Sequence, residues 1–334
     1  MSEYTTSPEP RRGKRHPVRN TMLVLLTLVL VAAVAAGGYL WHLARTFDNG
    51  TNTIADALPE NRPEKAAAAE GSQNILLMGS DTRDPASGDA RSDAMMLVHV
   101  PGDRSGVYVM SIMRDTWVEM PGHGEQKINA AMAIGGVSLT VDTVQTLFDI
   151  PIDHVAIIDF EGFQGLTDAL DGVTLNNEVA FQSEGAQGEY FAAGPITVEG
   201  ESALKYVRER YAFTDGDYQR VKNQQAFLSG VISGVLNKAT LTNPVKVSNV
   251  VGAISPYLSV DEELDASAAG ALALGLRNVR AGDVHMFTLP NAGVGTSSDG
   301  QSIVVPDYAA IAEIAAALDA DDVAGYVRST LPEG

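Results

Sequence analysis

A single uncharged apolar segment near the N-terminus constrains the architecture of this 334-residue chain more than any other feature. The segment TMLVLLTLVLVAAVAAGGYLW covers residues 21–41 and is long enough to cross a bilayer as a helix. A cluster of basic residues precedes it: Arg11, Arg12, Lys14, Arg15 and Arg19. Positive charge ahead of a span favours a cytoplasmic N-terminus. The sequence therefore predicts a cytoplasmic basic tail over residues 1–20, a transmembrane signal-anchor helix over 21–43, and an extracellular remainder held at the cell membrane by this single pass.

A cleaved signal peptide is the alternative interpretation of this segment, because the small residues of AVAAGG could form a cleavage site. The apolar run is long for the hydrophobic part of a signal peptide, so we favour an uncleaved anchor. Under either interpretation the rest of the chain is exported. The chain contains no cysteine, which excludes disulfides, thiolate metal sites and a cysteine nucleophile.

The charge distribution narrows the classes of partner. The formal net charge is −19, and only two of the 42 acidic side chains but six of the 23 basic ones lie in the first 45 residues, so the exported part carries −23. Such a charge argues against nucleic acid as a partner. The exported basic residues nevertheless gather in two stretches, with none between Lys127 and Lys205. Local ion pairs explain single arginines, but they do not explain this clustering.

Alternating patterns of strand and helix predict the fold class. After a polar stretch over 44–71, expected to be an extracellular linker, short apolar runs alternate with longer helical patterns. The runs expected to be strands are NILLMGSD, AMMLVHV, VYVMSI and HVAIIDF; the longest helical patterns are NAAMAIGGVSLTVDTVQTLFDI, broken at its glycine pair, and DYQRVKNQQAFLSGVISGVLNKA. This alternation predicts an α/β (mixed α+β) fold, in which a central β-sheet is flanked by helices. We expect one extracellular domain over residues 72–328.

Two aspartates flank the loop that follows the first predicted strand. Asp81 and Asp93 lie at the two ends of DTRDPASGDARSD. Such a loop can bring both carboxylates to one point, and two carboxylates with water and phosphate oxygens suit Mg²⁺, with Mn²⁺ as an alternative. Arg83 and Arg91 lie two residues from these acids, so local salt bridges are the competing interpretation.

Further arginines lie where ligands are often bound. Arg114 emerges at the end of the predicted strand VYVMSI, a common position for ligand contacts in α/β sheets. Arg208 and Arg210 are two residues apart and would point the same way in an extended backbone. A third group of polar residues is spaced by three and four positions: Asp217, Arg220 and Gln224. On a helix these residues share one face. Converging guanidinium groups bind phosphate oxygens in pairs, so the pattern indicates a polyphosphate clamp.

Taken together, these motifs resemble the LytR-CpsA-Psr family of membrane-anchored cell-wall glycopolymer transferases. The matching segments occur in the family's order: NILLMGSDTR, RSDAMML, VMSIMRDTWVEMPG, KINAA, FDIPIDH, IDFEGFQGLTDALDGV, ALKYVRERY, DGDYQR and QQ. They cover residues 74–236. One departure is Met113, where the family often has proline. Because the neighbouring Arg114 is retained, we expect little effect.

The resemblance implies a role for each matching residue. Asp81 and Asp93 fall where the family holds Mg²⁺. Asp217 matches an acid in the family's site. The candidate catalytic residues are Asp217, Arg114 and Asp81, and Asp217 ranks ahead of Asp81 as the base because an ionised metal ligand is a poorer base. The positions that contact a pyrophosphate are Arg83, Arg91, Arg114, Arg208, Arg210, Arg220 and Gln224. The lipid tail is expected in an apolar tunnel between sheet and helices, for which Ala226–Leu236 supplies candidate lining residues.

The resemblance also implies a reaction. The chain is expected to move a glycopolymer from a polyprenyl-pyrophosphate carrier to peptidoglycan as a phosphodiester, in cell-wall assembly. A lipid-pyrophosphate hydrolase would use the same site with water as acceptor, and a non-catalytic membrane-bound regulator of envelope synthesis is the third alternative. Teichoic acid, capsule and arabinogalactan-type polymers all present the same reacting phosphate. Composition rich in alanine and glycine but poor in lysine suggests an actinobacterium.

Overall fold

The computed structural model describes the backbone of residues 17–80, 92–185 and 187–330. The side chains of these residues are described except for residues 17–31, Asp93, Lys238 and Leu241. The chain divides into two compact units, Met1–Leu43 and Ala44–Gly334. Residues 17–43 of the first unit are helical throughout. Asp81, Arg83, Arg91 and the first sixteen residues of the predicted tail lie outside the described residues.

The second unit alternates strands and helices along the chain, as the sequence predicts. The described strands are β1 (Asn52–Ile54), β2 (Gln73–Ser80), β3 (Ser92–Val100), β4 (Val107–Ile112), β5 (Trp117–Met120), β6 (Gly124–Lys127), β7 (His154–Asp159), β8 (Val173–Asn177), β9 (Phe181–Gln182), β10 (Tyr190–Phe191), β11 (Gly194–Val198), β12 (Leu258–Asp261), β13 (Val284–Thr288), β14 (Asn291–Thr296) and β15 (Ser302–Pro306). The described helices are α1 (Pro17–Gly50), α2 (Ala130–Phe148), α3 (Phe160–Ala169), α4 (Gly200–Arg208), α5 (Asp217–Val235), α6 (Lys238–Leu241), α7 (Pro244–Ile254), α8 (Ala266–Gly275), α9 (Tyr308–Asp319) and α10 (Val323–Thr330).

Seven strands form one mixed sheet in the order β1-β12-β7-β2-β3-β4-β13. β2 is parallel to β7 and antiparallel to β3, and β3 is antiparallel to β4. The C-terminal ends of β2, β4 and β7 therefore meet the N-terminal end of β3. We call this row of strand ends the upper edge, as distinct from the edge strands β1 and β13, and define it by Ser80, Ser92, Ile112 and Asp159. It brings together segments that are far apart in the sequence.

Both faces of the sheet are covered, which explains why the central strands are apolar on both sides. In β2, the alternate residues Leu76 and Met78 are buried in the main core against α2, α9 and α10. Leu77 faces the opposite side, toward α5. A second core cluster lies between α3, α4, α5 and the short strands from β8 to β11. The predicted α/β fold with a central sheet flanked by helices is confirmed.

The segment 44–71, expected to be a linker with room for a short helical piece, contains the end of α1, the strand β1 and a short 3₁₀ turn at Ala67–Ala69. β1 adds a parallel strand to the edge of the sheet beside β12. Ala57 and Ala69 are buried, and the Lys65 ammonium lies 2.7 Å from the Asp153 carboxylate. This short edge strand carries polar residues because one side of it is open to solvent, so its sequence lacks the hydrophobic alternation from which strands are predicted.

Two helices, α1 and α2, contain apolar segments as long as a membrane span. Among the described residues, α2 is long and apolar enough to span a bilayer, but half of it is buried within the main core. It therefore serves as a core helix. The anchor predicted over 21–43 falls on α1, whose side chains are described from residue 32 onward. There Val34, Leu40 and Trp41 are exposed, and the anchor stays a prediction.

The buried carboxylate of Asp261 predicts a pH-dependent contribution to stability. Burial acts to raise its pKa, but hydrogen bonds from His154 and from the backbone N–H groups of Val155 and Glu263 lower it below its ordinary value of 3.8. A lowered folded pKa stabilises the protein above the unfolded pKa, and this stability is lost as pH falls through the folded value. We expect Asp261→Asn to lower the free energy of unfolding by about 1.5–3 kcal/mol at pH 7.

Urea denaturation at pH 7 and at successively lower pH measures this effect. The difference between parent and variant should shrink as pH falls below 3.8. Glu262→Gln is the control, because this neighbouring side chain is exposed and should change little. A deficit in Asp261→Asn that stays constant down to acid unfolding would contradict the assignment.

Candidate functional site

One carboxylate surrounded by three guanidinium groups lies close to the upper edge of the sheet. Asp217 Oδ1 lies 3.1 Å from Arg210 Nε and 3.2 Å from Arg220 Nη2. Asp217 Oδ2 lies 3.5 Å from Arg114 Nε. We call these four residues the arginine cluster. Three cations and one carboxylate leave it with a formal excess of two positive charges, so it can accept an anion with several negative charges.

Three separate elements build the arginine cluster. Arg114 lies two residues beyond β4 at the upper edge, Arg210 lies in the connection after α4, and Arg220 lies in the first turn of α5. Asp217 is the first residue of α5 and follows Gly216, whose φ of +52° favours glycine. The side chain of Arg220 is only 7% exposed, whereas that of Arg210 is 35% exposed. The arginine cluster is thus shielded from solvent at Arg220 and accessible to a ligand at Arg210.

Glu209 shapes the loop that carries Arg210, although the sequence offered it no role. Its buried Oε1 accepts hydrogen bonds from the backbone N–H groups of Arg210, Tyr211 and Ala212 at 2.8–3.0 Å. Its Oε2 accepts one from the N–H of Glu184 at 2.7 Å. The acid within RER therefore binds backbone rather than neighbouring arginines. It holds the loop in one conformation and so positions Arg210.

Replacing Glu209 with glutamine is expected to weaken anion binding at the arginine cluster more than it changes overall stability. The amide keeps one acceptor oxygen but loses the charge that strengthens the bonds to the loop N–H groups. We expect the Kd for inorganic pyrophosphate to rise about tenfold, which corresponds to about 1.4 kcal/mol. Titration calorimetry measures this change. Glu178→Gln, which removes an exposed carboxylate paired with Lys222, should leave this Kd unchanged; an equal rise in both variants would contradict the positioning role.

Arg208 lies against an aromatic ring at the end of α4. It is the last residue of α4 and is therefore helical, so the extended backbone that would align it with Arg210 is not present. Its guanidinium carbon instead lies 4.4 Å from the centre of the Phe160 ring, within the range of a cation–π contact. Phe160 follows Asp159 at the upper edge. Arg208 and Gln224 both line the cavity next to it.

That cavity has a volume of about 280 Å³ and lies between the sheet and helices α3, α4 and α5. Its wall is almost entirely apolar. The sheet contributes Leu77, Met78, Gly79, Ala94, Met96, Ala156, Ile158, Asp159 and Leu258, and the helices and their ends contribute Phe160, Phe163, Leu166, Leu204, Val207, Arg208, Gln224, Phe227, Leu228 and Val231. Such a cavity suits an apolar chain rather than a polar ligand. Three of the lining residues fall within the predicted segment Ala226–Leu236.

Helix α5 connects the cavity with the arginine cluster. Its cavity-lining residues Gln224, Phe227 and Val231 are spaced by three and four, so they share one face. Asp217 and Arg220 continue the same spacing toward the helix N-terminus. Gln225 fixes the helix from the neighbouring side, because its Nε2 donates to Ser111 Oγ at 3.0 Å. One rigid helix thus presents cations at its beginning and apolar side chains further along.

The backbone of Asp93 interrupts the regular pairing of β2 with β3 at the upper edge. Ser80 pairs with Ser92 while Gly79 pairs with Ala94, so Asp93 is an extra residue in the ladder. Asp81 and the side chain of Asp93 lie outside what the structure describes, so the Mg²⁺ site stays a prediction. Within the described part of the chain, no group of three or more acidic or histidine side chains could hold a metal.

Ion pairs with nearby acids explain several basic residues outside the arginine cluster. Each of three lysines in the two basic stretches lies 3.1–3.5 Å from an acid: Lys127 from Asp115, Lys205 from Glu201 and Lys222 from Glu178. Local ion pairing therefore accounts for these lysines. It does not account for the contact of Arg114 with Asp217, which lies about a hundred residues further along the chain.

Comparison with known proteins identifies the family. The model of the LytR_cpsA_psr family matches residues 42–320. The chain is 30% identical to cell wall biosynthesis protein LcpA of Corynebacterium glutamicum over 87% of its own length and 64% of that protein, so it spans less than two thirds of this relative. It is 31% identical to the polyisoprenyl-teichoic acid–peptidoglycan teichoic acid transferase TagU of Bacillus subtilis, over 70% of this chain and 76% of TagU.

Solved structures share the fold. A structure of TagT bound to LI-WTA superposes with a TM-score of 0.60 at 25% identity, covering 79% of this chain and 98% of TagT. A LytR-Csp2A-Psr enzyme from Actinomyces oris gives a TM-score of 0.65 at 20% identity, over 80% of this chain and 96% of that one. With the family model covering most of the chain, this protein belongs to the LytR-CpsA-Psr family.

Proposed function

We propose that this protein transfers a glycopolymer from a polyprenyl-pyrophosphate carrier to peptidoglycan, forming a phosphodiester at the outer face of the membrane to which α1 anchors it. The observation that carries the proposal is the arrangement along α5. A cluster with excess positive charge stands one helical turn before an apolar cavity of about 280 Å³. A diphosphate joined to a long hydrocarbon has matching chemistry at its two ends. Relatives named as teichoic acid transferases support the same reaction class.

The reaction is a substitution at phosphorus. A hydroxyl oxygen of the acceptor attacks the phosphorus on the glycan side of the diphosphate. A new P–O bond forms, the bridging P–O bond breaks, and polyprenyl phosphate leaves. Negative charge spreads over the phosphoryl oxygens, and preorganised guanidinium groups stabilise it where it develops. In this proposal Arg114, Arg210 and Arg220 supply those groups, with Arg83, Arg91 and Arg208 contacting the same diphosphate.

Asp217 occupies a central place in this proposal. Its carboxylate contacts all three arginines of the cluster, so we assign it a positioning role that prevents their mutual repulsion before the donor binds. The base that accepts the hydroxyl proton stays a prediction, with Asp217 and Asp81 as the candidates. Asp81 and Asp93 would hold Mg²⁺, which when bound would help to neutralise phosphate charge.

Incubating the full-length protein with lipid-linked glycan and a peptidoglycan oligosaccharide tests the proposal. We expect a covalent glycan–peptidoglycan adduct and one polyprenyl phosphate per adduct, both measured by mass spectrometry. Water as the acceptor would instead give free glycan phosphate without adduct, as expected for a hydrolase. A donor that binds but remains intact with both acceptors would indicate a regulator.

A further inference from the structure

An acid-free region stands out in an otherwise acidic domain. No aspartate or glutamate occurs between Asp217 and Asp261, and none occurs between Asp265 and Asp283. These stretches contain the later turns of α5, helices α6 to α8 and the residues that follow α8. A domain with many more acidic than basic side chains is repelled by an anionic surface. Asp261, Glu262, Glu263 and Asp265 separate the two stretches, so the acid-free surface consists of the helices themselves and not of the connection between them. These helices are therefore candidates to approach an anionic surface.

Helices α7 and α8 also expose apolar side chains. Neither helix has a buried residue, although both are rich in apolar ones. Leu274 on α8 is 68% exposed and Val245 on α7 is 65% exposed. α8 contains no charged residue. Six of the ten residues of α8 are half-buried and four are exposed, so protein covers only part of this uncharged helix. A helix without a polar face is normally buried in protein or in lipid.

The end of α1 packs against these two helices. The Asp48 carboxylate accepts a hydrogen bond of 2.8 Å from the N–H of Ala266, the first residue of α8. Gly50 lies against Ser255, which ends α7. Thr46 lies beside Gly252 of α7. The predicted span ends at residue 43, so only a few residues separate its end from these contacts.

We propose that α7 and α8 form a surface that rests on a phospholipid bilayer with anionic headgroups. This inference rests on the proposed function, because it takes the anchor and the lipid carrier as given. Leu274 and Val245 would enter the apolar boundary of the bilayer, as in interfacial helices. Arg277 and Arg280 follow α8, and their guanidinium groups donate to backbone carbonyls at 2.9–3.1 Å. Both side chains follow α8 closely enough to meet lipid phosphates at the same surface.

The same surface offers the carrier lipid an apolar route to the cavity. Leu77, Met96 and Leu228 line the cavity. They belong to an apolar cluster that also contains Leu276, which directly follows α8. A polyprenyl chain leaving the bilayer beside α8 would therefore meet apolar side chains up to the cavity wall. The proposed contact with the bilayer thus specifies where the tail of the donor enters.

The depth of a spin label in the bilayer tests this proposal. Because the chain contains no cysteine, a single introduced cysteine is the only site that the label can modify. Leu274→Cys and Val294→Cys each place one nitroxide label on the full-length chain, at positions that are both 68% exposed. The protein is reconstituted into nanodiscs of equal parts phosphatidylglycerol and phosphatidylethanolamine. Collision rates with oxygen and with a water-soluble nickel chelate are then measured. We expect the ratio of oxygen to nickel collisions to be several-fold higher at position 274 than at 294.

Equal ratios at the two positions, whether typical of water or of lipid, would overturn the proposal. If Leu274→Cys does not fold, Val245→Cys on α7 supplies the second label with the same expectation. This experiment distinguishes failure of the bilayer proposal from failure of the proposed reaction. If the label at position 274 is exposed to water in protein that still transfers glycan, only the bilayer proposal is overturned. If that label faces lipid in protein that never transfers glycan, only the proposed reaction is overturned.

Discussion

Replacing Arg220 with glutamine is expected to lower kcat for glycan transfer by about 10²- to 10³-fold, equivalent to about 3–4 kcal/mol of transition-state stabilisation. Arg220 is the most sheltered guanidinium of the arginine cluster, with a side chain only 7% exposed. Electrostatic contacts are stronger where water is excluded. The variant should still fold, because Asp217 keeps Arg114 and Arg210 as partners.

Lys222→Gln is the matched control for this substitution. It removes a positive charge from the same helix two residues away, but its side chain is 53% exposed and pairs with Glu178. We expect kcat to change less than twofold, because an exposed ion pair contributes little. Initial rates of adduct formation measure both variants. Equal losses in the two would show that net charge, rather than the cluster, controls transfer.

Filling the apolar cavity is expected to have the second large effect. Ala156 of β7 lines the cavity, and Ala156→Phe would place a ring in the space proposed for the lipid tail. Excluding one five-carbon isoprenyl unit forfeits about 3–4 kcal/mol at about 0.8 kcal/mol per buried CH₂. The affinity for a long-chain donor should therefore fall about a hundredfold or more. A donor with a very short prenyl chain should be affected far less.

Chain-length dependence measured by titration calorimetry separates cavity filling from general damage. Ala309→Phe is the control, because Ala309 is exposed on α9 and does not line the cavity. It should bind long and short donors like the parent protein. Equal weakening of both donors by Ala156→Phe would contradict the cavity as the lipid site.

The fold was largely predictable because its central strands are buried on both faces. Runs such as NILLMGS are apolar throughout, and the glycine pair in α2 correctly predicted a break, since Gly135 and Gly136 have non-helical backbone angles. The edge strand β1 was not predictable. Its pairing with β12 depends on a partner about two hundred residues away, which its short polar sequence does not reveal.

Contacts within the arginine cluster that follow from helix spacing or from a strand end could be predicted from the sequence. Contacts that depend on where α4 ends and how the next loop folds could not. Helical spacing correctly placed Asp217 and Arg220 together, and the strand end placed Arg114 near them. The helical backbone of Arg208 could not be foreseen, because α4 ends at this residue and the extended backbone begins only at Glu209. Glu209 was missed for a related reason. A carboxylate between arginines suggests ion pairs, and only the folded loop shows that it binds backbone N–H groups.

The structure of the full-length protein with a long-chain prenyl diphosphate tests the central claim most directly. Diffraction or cryo-electron microscopy would locate the two ends of this ligand. We predict phosphate oxygens within hydrogen-bond distance of Arg114, Arg210 and Arg220, and the hydrocarbon between β7 and α5 beside Ala156 and Phe227. A diphosphate bound elsewhere, or a tail lying outside the cavity, would contradict the assignment of α5 as the helix that joins the two halves of the donor site.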